Sequence, residues 1–198
     1  MTSSDLTLLP PDAKRRVATR VGTVLGGGGG ADGSGPAPGG RFRVALACAE
    51  FNGGITDRLL TGALDGLEEA GCDLADAIVA WAPGAFELPV VAQQLARSGA
   101  VDAVICLGAV IRGDTGHYDF VAGQCAAGLQ QVQLDTGLPV VFGVLTTDTV
   151  DQALERSADD HSNKGREAAR TALDTAGVLA SVTAATAPRR VGFTTGRN

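Results

Sequence analysis

The chain has 198 residues, of which 44% are hydrophobic and 19% are charged, and its formal net charge is −6. This composition is typical of a globular domain in which apolar burial offsets chain entropy without disulfides or metal ions. Aromatic residues make up only 4% of the chain and the charge balance is acidic, so we expect neither nucleic acid nor a membrane surface as a partner.

Residues 1–40 predict an extension ahead of the folded domain. The basic run at residues 14–16 is followed by an apolar patch that Arg20 and Gly22 interrupt, which is not a secretory signal, so we expect a cytoplasmic protein. Residues 26–40 contain only Gly, Ala, Ser, Pro and one Asp, a composition typical of a flexible linker. The apolar patch before it is compatible with a docked strand or helix and equally with an unstructured tail.

From residue 43 onward, short segments rich in Val, Ile and Ala alternate with amphipathic segments. The predicted order is strand 44–49, helix 56–70, strand 77–81, helix 89–98, strand 101–107, helix 118–136, strand 140–145, and helices 148–157 and 164–178. Strands that alternate with helices form parallel βαβ units with helices on both faces of the sheet. The sequence therefore predicts a three-layer α/β/α sandwich with a four-stranded, parallel, doubly wound sheet. We place this domain at residues 41–180 and a C-terminal extension at 181–198.

The cysteines and histidines give no sign of a metal site. The four cysteines show no CxxC pairing, and Cys48 and Cys106 fall in predicted strands, where cysteine acts as a small hydrophobic residue. The two histidines are far apart, and their spacing to the cysteines does not fit a zinc site. We therefore expect reduced, structural thiols and no metal.

Unusual residues follow the end of each predicted strand. These segments are Phe51-Asn52, residues 83–87, the glycine-bracketed loop 112–117, and Thr146-Thr147. In an open parallel sheet, ligands bind just beyond the carboxyl ends of the strands. We therefore expect these segments to converge on one cleft.

Three residues at these strand ends have both a functional and a structural interpretation. Phe51 precedes Asn-Gly-Gly at a strand end, which indicates a ligand contact rather than a core aromatic. Asn52 either contacts the ligand or caps the next helix. Glu87 lies in an apolar segment, where its carboxylate needs donors such as ligand hydroxyls, although it could also complement the charge of a helix N-terminus.

The loop after the third strand suggests an anion site and an acid–base group. Gly113, Asp114 and Thr115 precede a helix, whose N-terminal amides favour phosphate, provided that the Asp114 carboxylate turns away. Arg112 either faces the phosphate or pairs with a carboxylate to brace the loop, and the salt bridge is the stronger alternative. His117 can exchange protons near neutral pH and is our candidate general acid–base.

Together these motifs resemble a known family. The matching segments are Phe51-Asn52, residues 83–89, 108–117 and 142–147, Glu155-Arg156, and residues 163–165. In this order they resemble the 6,7-dimethyl-8-ribityllumazine synthase family over residues 43 to about 180. The resemblance implies a flavodoxin-like sandwich and the penultimate step of riboflavin biosynthesis.

The resemblance also implies substrates, site residues and assembly. The activity would be that of a transferase that condenses 5-amino-6-(D-ribitylamino)uracil with 3,4-dihydroxy-2-butanone 4-phosphate, giving 6,7-dimethyl-8-ribityllumazine, phosphate and water without a cofactor. His117 would be catalytic, and the family forms homopentamers, which some members assemble into a hollow sixty-subunit shell. The implied contacts to the ribitylaminouracil are Phe51, Asn52, Ala85, Phe86, Glu87, Val110, Ile111, Phe142 and Lys164, and those to the phosphate are Gly113, Asp114, Thr115 and Arg156.

Phe142, Arg156 and Lys164 would lie at the edge of a neighbouring subunit's site, so the resemblance implies active sites shared between subunits. Without the resemblance, Arg156 and Lys164 could equally be solvated helix charges. An alternative to the enzyme is a non-catalytic flavin- or lumazine-binding or shell-forming paralogue on the same scaffold. The chain departs from the family pattern at Glu50, where a basic residue is common, at Gly116, and in the acidic segment 157–161.

Overall fold

The structure, a computed structural model, describes residues 9–25 and 42–187. In chain order its main elements are α1 (Ala13–Ala18), β1 (Thr23–Leu25), β2 (Val44–Ala49), α2 (Gly53–Glu69), β3 (Ile78–Ala82), α3 (Leu88–Arg97), β4 (Ala103–Ile111), α4 (His117–Thr136), β5 (Val140–Thr147), α5 (Val150–Arg156) and α6 (Lys164–Thr186). Short 3₁₀ turns at Leu74–Asp76 and Ala85–Glu87 precede β3 and α3.

The described strands form one parallel sheet in the order β1-β3-β2-β4-β5. The predicted fold class is confirmed, because the four predicted strands are β2 to β5 and helices cover both faces of the sheet. The prediction of four strands missed β1, a short fifth strand that pairs with β3 at one edge. The apolar run 104–111 predicts a strand that ends at Ile111, and β4 does end there, four residues beyond the limit of 107 in the predicted order, because its pairing with β5 continues to Ile111 and Thr147.

The central strands are apolar on both sides because each face of the sheet is covered. Every residue of β2 is buried, as are the first seven residues of β4. One face packs against α2 and α6, where Leu59, Leu64 and Ala169 are buried, and the other packs against α3 and α4, where Leu88 and Leu129 are buried. Strands enclosed in this way are nearly continuous apolar runs, in which Cys48, Cys106 and Gly108 stand among Val, Ile, Leu and Ala.

The start of α6 lies directly against α2. The Asn163 side chain caps α6 by accepting from the Gly165 N–H at 2.8 Å, and its Nδ2 donates to the Arg58 carbonyl of α2 at 3.2 Å. A Cβ atom on Gly165 would lie 1.8 Å from the Leu59 carbonyl oxygen. Only glycine permits this approach, so Lys164 and the loop before it are placed by a backbone contact with α2.

Residues 9–25 are folded onto the domain, although they fall within the predicted 1–40 extension. Val17 and Val21 are buried in the core beside α2, and the Gly22 N–H donates to the Leu74 carbonyl at 3.1 Å. Residues 26–40, predicted as a flexible linker, lie outside the described residues. The predicted boundary at 180 falls within α6, and residues 188–198 of the predicted C-terminal extension also lie outside the described part of the chain.

Three of the four cysteines are core residues. Cys48, Cys106 and Cys125 are buried, and burial raises the pKa of all three thiols, that of Cys125 to about 11. A thiol whose pKa is raised by an apolar environment is a poor nucleophile, which supports a structural role. Of the helices in the described residues, none is long and apolar enough to cross a membrane.

Candidate functional site

The carboxyl ends of the parallel strands meet at one edge of the sheet and enclose a cavity of about 740 Å³. Its walls come from the loops after β2, β3 and β4 and from the first turn of α4. They comprise Phe51, Asn52, residues 83–87, 109–111, Gly113, Thr115, His117, Tyr118, Phe120 and Val121. Three of the four predicted segments therefore contribute to one cavity, whereas Thr146 and Thr147 at the end of β5 line a different cleft, so the predicted convergence of all four was wrong for the last.

Phe51 and Asn52 form the turn that leaves β2. The Phe51 ring is 61% exposed, as expected for an aromatic side chain offered to a ligand rather than to the core. Asn52 is buried, and its φ of 58° is in the left-handed region, which Asn tolerates better than most residues. It occupies the N-cap position of α2, but its side chain makes no capping bond and its Nδ2 donates to the Ala109 carbonyl of β4 at 2.9 Å. Asn52 thus ties the Phe51 turn to the neighbouring strand.

The loop after β3 brings Ala85, Phe86 and Glu87 to the cavity in a single 3₁₀ turn. Ala85 is buried, whereas the Phe86 ring is 56% exposed. The Glu87 side chain is exposed, contrary to the expectation that it would be buried and need donors from a ligand to offset its desolvation. Glu87 is the N-cap residue of α3, so its carboxylate complements the positive end of the helix dipole. Its side chain makes no capping hydrogen bond, so the carboxylate remains open to a ligand.

Arg112 braces the loop between β4 and α4. Its Nε lies 3.0 Å from Asp148 after β5, and its Nη2 lies 3.2 Å from Asp119 in the first turn of α4. The hydrogen bonds to Asp119 and Asp148 raise the pKa of the guanidinium, which also stacks 4.0 Å from the centre of the Tyr118 ring. Of the two interpretations of Arg112, the structure therefore contains the salt bridge.

The N-terminus of α4 faces the cavity. Gly113 and Thr115 line it, and the Thr115 hydroxyl accepts from the His117 N–H at 3.4 Å. His117 is the first residue of the 20-residue helix α4, and its side chain is exposed toward the cavity. Asp114 is exposed and is not part of the cavity lining. The amide groups at this helix end and the imidazole are therefore the polar groups available to an anion.

Sequence reasoning did not single out Tyr118, Phe120 and Val121 as site residues. Phe120 and Val121 follow His117 by three and four positions, so they share its helix face and extend the cavity wall with apolar surface. Phe120 is 70% exposed. A sequence signal could have identified Phe120, because it is an aromatic residue one helical turn after His117, the candidate catalytic residue at the start of the helix.

Phe142, Arg156 and Lys164 lie in a different cleft of the same chain, of about 730 Å³, between α4 and α6 along β5. The Phe142 ring is 40% exposed, and both cationic side chains are about half exposed. Arg156 donates to the Gln152 carbonyl at 3.0 Å, and Lys164 pairs with Glu167 one turn along α6. Among the residues that the structure describes, no Lys or Arg lines the first cavity, so Arg156 and Lys164 lie on a surface separate from the aromatic pocket.

Comparison with known proteins agrees with this geometry. The family model for 6,7-dimethyl-8-ribityllumazine synthase matches residues 41–180, the whole of the described sandwich from β2 into α6. A protein named 6,7-dimethyl-8-ribityllumazine synthase from Protochlamydia amoebophila (strain UWE25) is 55% identical over 134 residues, which cover 68% of this chain and 78% of the relative. With three strand-end loops forming one cavity and the family match spanning all of them, this chain belongs to the 6,7-dimethyl-8-ribityllumazine synthase family.

Proposed function

We propose that the chain is a transferase of riboflavin biosynthesis that condenses 5-amino-6-(D-ribitylamino)uracil with 3,4-dihydroxy-2-butanone 4-phosphate. The products are 6,7-dimethyl-8-ribityllumazine, phosphate and water. The observation that carries the proposal is the convergence of Phe51, Glu87 and His117 on one cavity at the carboxyl edge of a sheet that matches this family. The chemistry needs proton transfer and two kinds of binding contact, and no cofactor enters the proposed reaction.

The first cavity suits a flat ring with a polyol chain. The exposed Phe51 ring offers a stacking surface, and Asn52 with the backbone of Val110 and Ile111 offers hydrogen-bonding groups to the ring edge. Ala85 and Phe86 complete an apolar wall. The exposed Glu87 carboxylate can accept hydrogen bonds from the ribityl hydroxyls, and hydrogen bonds to a charged acceptor are stronger than neutral ones.

The phosphate would bind at the start of α4. Gly113 and Thr115 line the cavity there, and the amides of a helix N-terminus favour an anion. Asp114 would contribute only its backbone N–H, since its carboxylate would repel phosphate. Because Arg112 is engaged by two carboxylates, a guanidinium able to clamp the phosphate must come from elsewhere.

A neighbouring subunit is the proposed source of that cation. β5 is an edge strand of the described sheet, and its exposed Phe142 lines the second cleft together with Arg156 and Lys164. Exposed sheet edges and aromatic surface are typical of protein interfaces. We therefore propose a cyclic homo-oligomer, a pentamer as in the family, in which Phe142, Arg156 and Lys164 of one subunit complete the cavity of the next.

His117 is the group that we propose to move protons in this reaction. The 5-amino group attacks the ketone of the phosphate substrate, and water leaves as the imine forms. Phosphate is then eliminated, and attack by the ribitylamino nitrogen closes the ring with loss of water. The condensation and ring closure move protons at nitrogen and oxygen, and the elimination of phosphate removes a proton from the adjacent carbon, with the resulting enol regaining a proton at carbon. An imidazole at the cavity wall can carry such protons near neutral pH.

The direct test is to incubate the purified chain with both substrates and to follow lumazine absorbance and fluorescence. Product formation that depends on both substrates supports the proposal. A chain that binds lumazine or flavin but forms no product would instead be the non-catalytic paralogue. Sedimentation of the same preparation measures the subunit number, and an active monomer would refute the shared site.

We predict that Arg156→Ala raises KM for the phosphate substrate about tenfold to a hundredfold, the loss expected for a charge-assisted hydrogen bond. KM for the pyrimidine should change far less. Steady-state kinetics with each substrate varied separates the two effects. Arg170→Ala is the matched control, because Arg170 is an exposed arginine of α6 outside both clefts that make up the proposed site.

Mixing two impaired variants tests whether the site is shared, provided that activity is assayed at a phosphate-substrate concentration well below the raised KM of Arg156→Ala. When His117→Ala and Arg156→Ala chains are unfolded together and refolded, about one site in four in a cyclic oligomer contains both intact residues. Activity should therefore return to roughly that fraction. If each chain held a complete site, mixing would restore nothing, and the second cleft would have no part in catalysis.

A further inference from the structure

The N-terminal segment of residues 9–25 reaches the turn that carries Phe51. We propose that Lys14 is a positioning residue for Phe51, so that this segment, which precedes the matched family region, is part of the pyrimidine site. The inference rests on the function proposed above, because it assigns Phe51 to substrate binding. Lys14 would act through Glu50 and does not itself contact the substrate.

Lys14 bridges the ends of two neighbouring strands. Its ammonium pairs with Glu50, the residue immediately before Phe51, and lies 5.6 Å from the centre of the Trp81 ring in β3. The Lys14 side chain is 30% exposed and Trp81 is buried, so this contact is screened less than an ion pair in open water. This cation therefore links the residue before Phe51 to β3, in addition to the backbone hydrogen bonds that Glu50 and Phe51 donate to Ala82 and Pro83.

The same segment packs against the other side of the Phe51 turn. The backbone of Leu9 lies over Gly53, where an added Cβ would come within 2.4 Å of the Leu9 Cα. Asn52, between Phe51 and Gly53, is the residue held in the left-handed conformation. Contacts from residues 9–25 therefore flank the Phe51-Asn52 turn at both ends, at Glu50 and at Gly53.

Other contacts anchor the segment independently of Lys14. Arg16 pairs with Asp57 at 2.8 Å, Arg20 pairs with Asp65 at 2.7 Å, and both acids lie on α2. The buried side chains of Val17 and Val21 add apolar packing. A substitution at Lys14 should therefore loosen the Phe51 turn while the rest of the segment stays attached.

The charges of the two residues are complementary, because the acidic Glu50 pairs with the basic Lys14. A cation at position 50 would instead repel Lys14 beside Trp81. The contact therefore requires opposite charges at positions 14 and 50.

The test is a charge-reversal cycle with Lys14→Glu, Glu50→Lys and the double variant, together with Lys14→Ala. We expect each single variant to raise KM for the pyrimidine about fivefold, the size that a partly buried ion pair with a cation–π contact can supply. KM for the phosphate substrate and kcat should stay within about twofold of the unaltered chain, because His117 and the phosphate loop keep their contacts. The double variant should recover most of the pyrimidine affinity.

Arg20→Ala is the matched control for simple loss of docking. Arg20 anchors the same segment but contacts Asp65 and Glu68, well along α2 from the Phe51 turn. It should leave pyrimidine KM unchanged. An equal rise in KM for Arg20→Ala and Lys14→Ala, or a double variant no better than the singles, would overturn the proposal.

Two further readouts do not depend on activity. Trp81 is the only tryptophan in the chain, so its emission reports directly on the Lys14 contact and should shift to longer wavelength in Lys14→Ala as water reaches the ring. Amide exchange at Phe51, whose N–H donates to the Pro83 carbonyl at 3.1 Å, should become faster in the same variant. An inactive unaltered chain would refute the proposed function, whereas unchanged emission and exchange in Lys14→Ala would refute the positioning role.

Discussion

Replacing His117 with alanine is expected to lower kcat about a hundredfold or more, the range of a positioned general acid–base group, while KM for each substrate changes less than about threefold. His117 is the first residue of α4, its N–H contacts Thr115, and it lines the same cavity as Phe51. Its loss removes a proton carrier and leaves the stacking wall and the helix amides in place. Initial rates of lumazine formation, with each substrate varied in turn, measure the two parameters.

His161→Ala is the control, because His161 is the other histidine of the chain and lies in an exposed loop outside the cavity lining. Its kcat should equal that of the unaltered chain. If His117→Ala instead raises KM and leaves kcat intact, His117 is a binding group and the acid–base assignment is wrong.

Replacing Gly165 with alanine is expected to lower the free energy of unfolding by about 3 kcal/mol, the upper end of the cost of overpacking a core. The added Cβ would lie 1.8 Å from the Leu59 carbonyl oxygen and 3.0 Å from the Asn163 cap. The obstacle is the backbone of a buried helix, which cannot move aside as a flexible side chain could. Urea denaturation at one fixed protein concentration measures the loss, since an oligomer's stability depends on concentration.

Gly177→Ala is the matched control in the same helix. An added Cβ at Gly177 meets no other atom within 4 Å, so this variant should be more stable than the unaltered chain by about 0.5–1 kcal/mol, the helix propensity difference between glycine and alanine. Equal stabilities for the two variants would mean that α6 does not approach α2 as closely as described. Because Lys164 adjoins Gly165, Gly165→Ala should also weaken substrate binding in the fraction that folds.

The strands were predictable because their signal is local. The strand predicted at 44–49 coincides with β2 (Val44–Ala49), since every residue of a strand enclosed on both faces is apolar. The ends were less predictable. The helix predicted from residue 56 begins instead at Gly53. The sequence did not indicate helix there, because a Gly-Gly pair has poor intrinsic helix propensity. The pair is helical in the structure through contacts with Leu9 and with the core.

Residues 9–25 show why part of the fold was left open. Besides the buried Val17 and Val21, the segment is held by ion pairs from Lys14, Arg16 and Arg20 to Glu50, Asp57 and Asp65, which lie tens of residues away along the chain. No window of local sequence contains both halves of such a pair. The basic residues were therefore evident from the sequence, whereas their acidic partners became apparent only once the end of β2 and α2 were placed beside them.

The candidate site divides in the same way. Motifs at the strand ends predicted that Phe51, Glu87 and His117 face one cavity, because parallel topology alone brings those ends together. The sequence by itself thus determined the layered fold, the family and the edge of the sheet where ligands bind. Only the tertiary structure decided that Arg112 is engaged by Asp119 and Asp148 and that Arg156 and Lys164 lie in a separate cleft, since these depend on side-chain distances between distant segments.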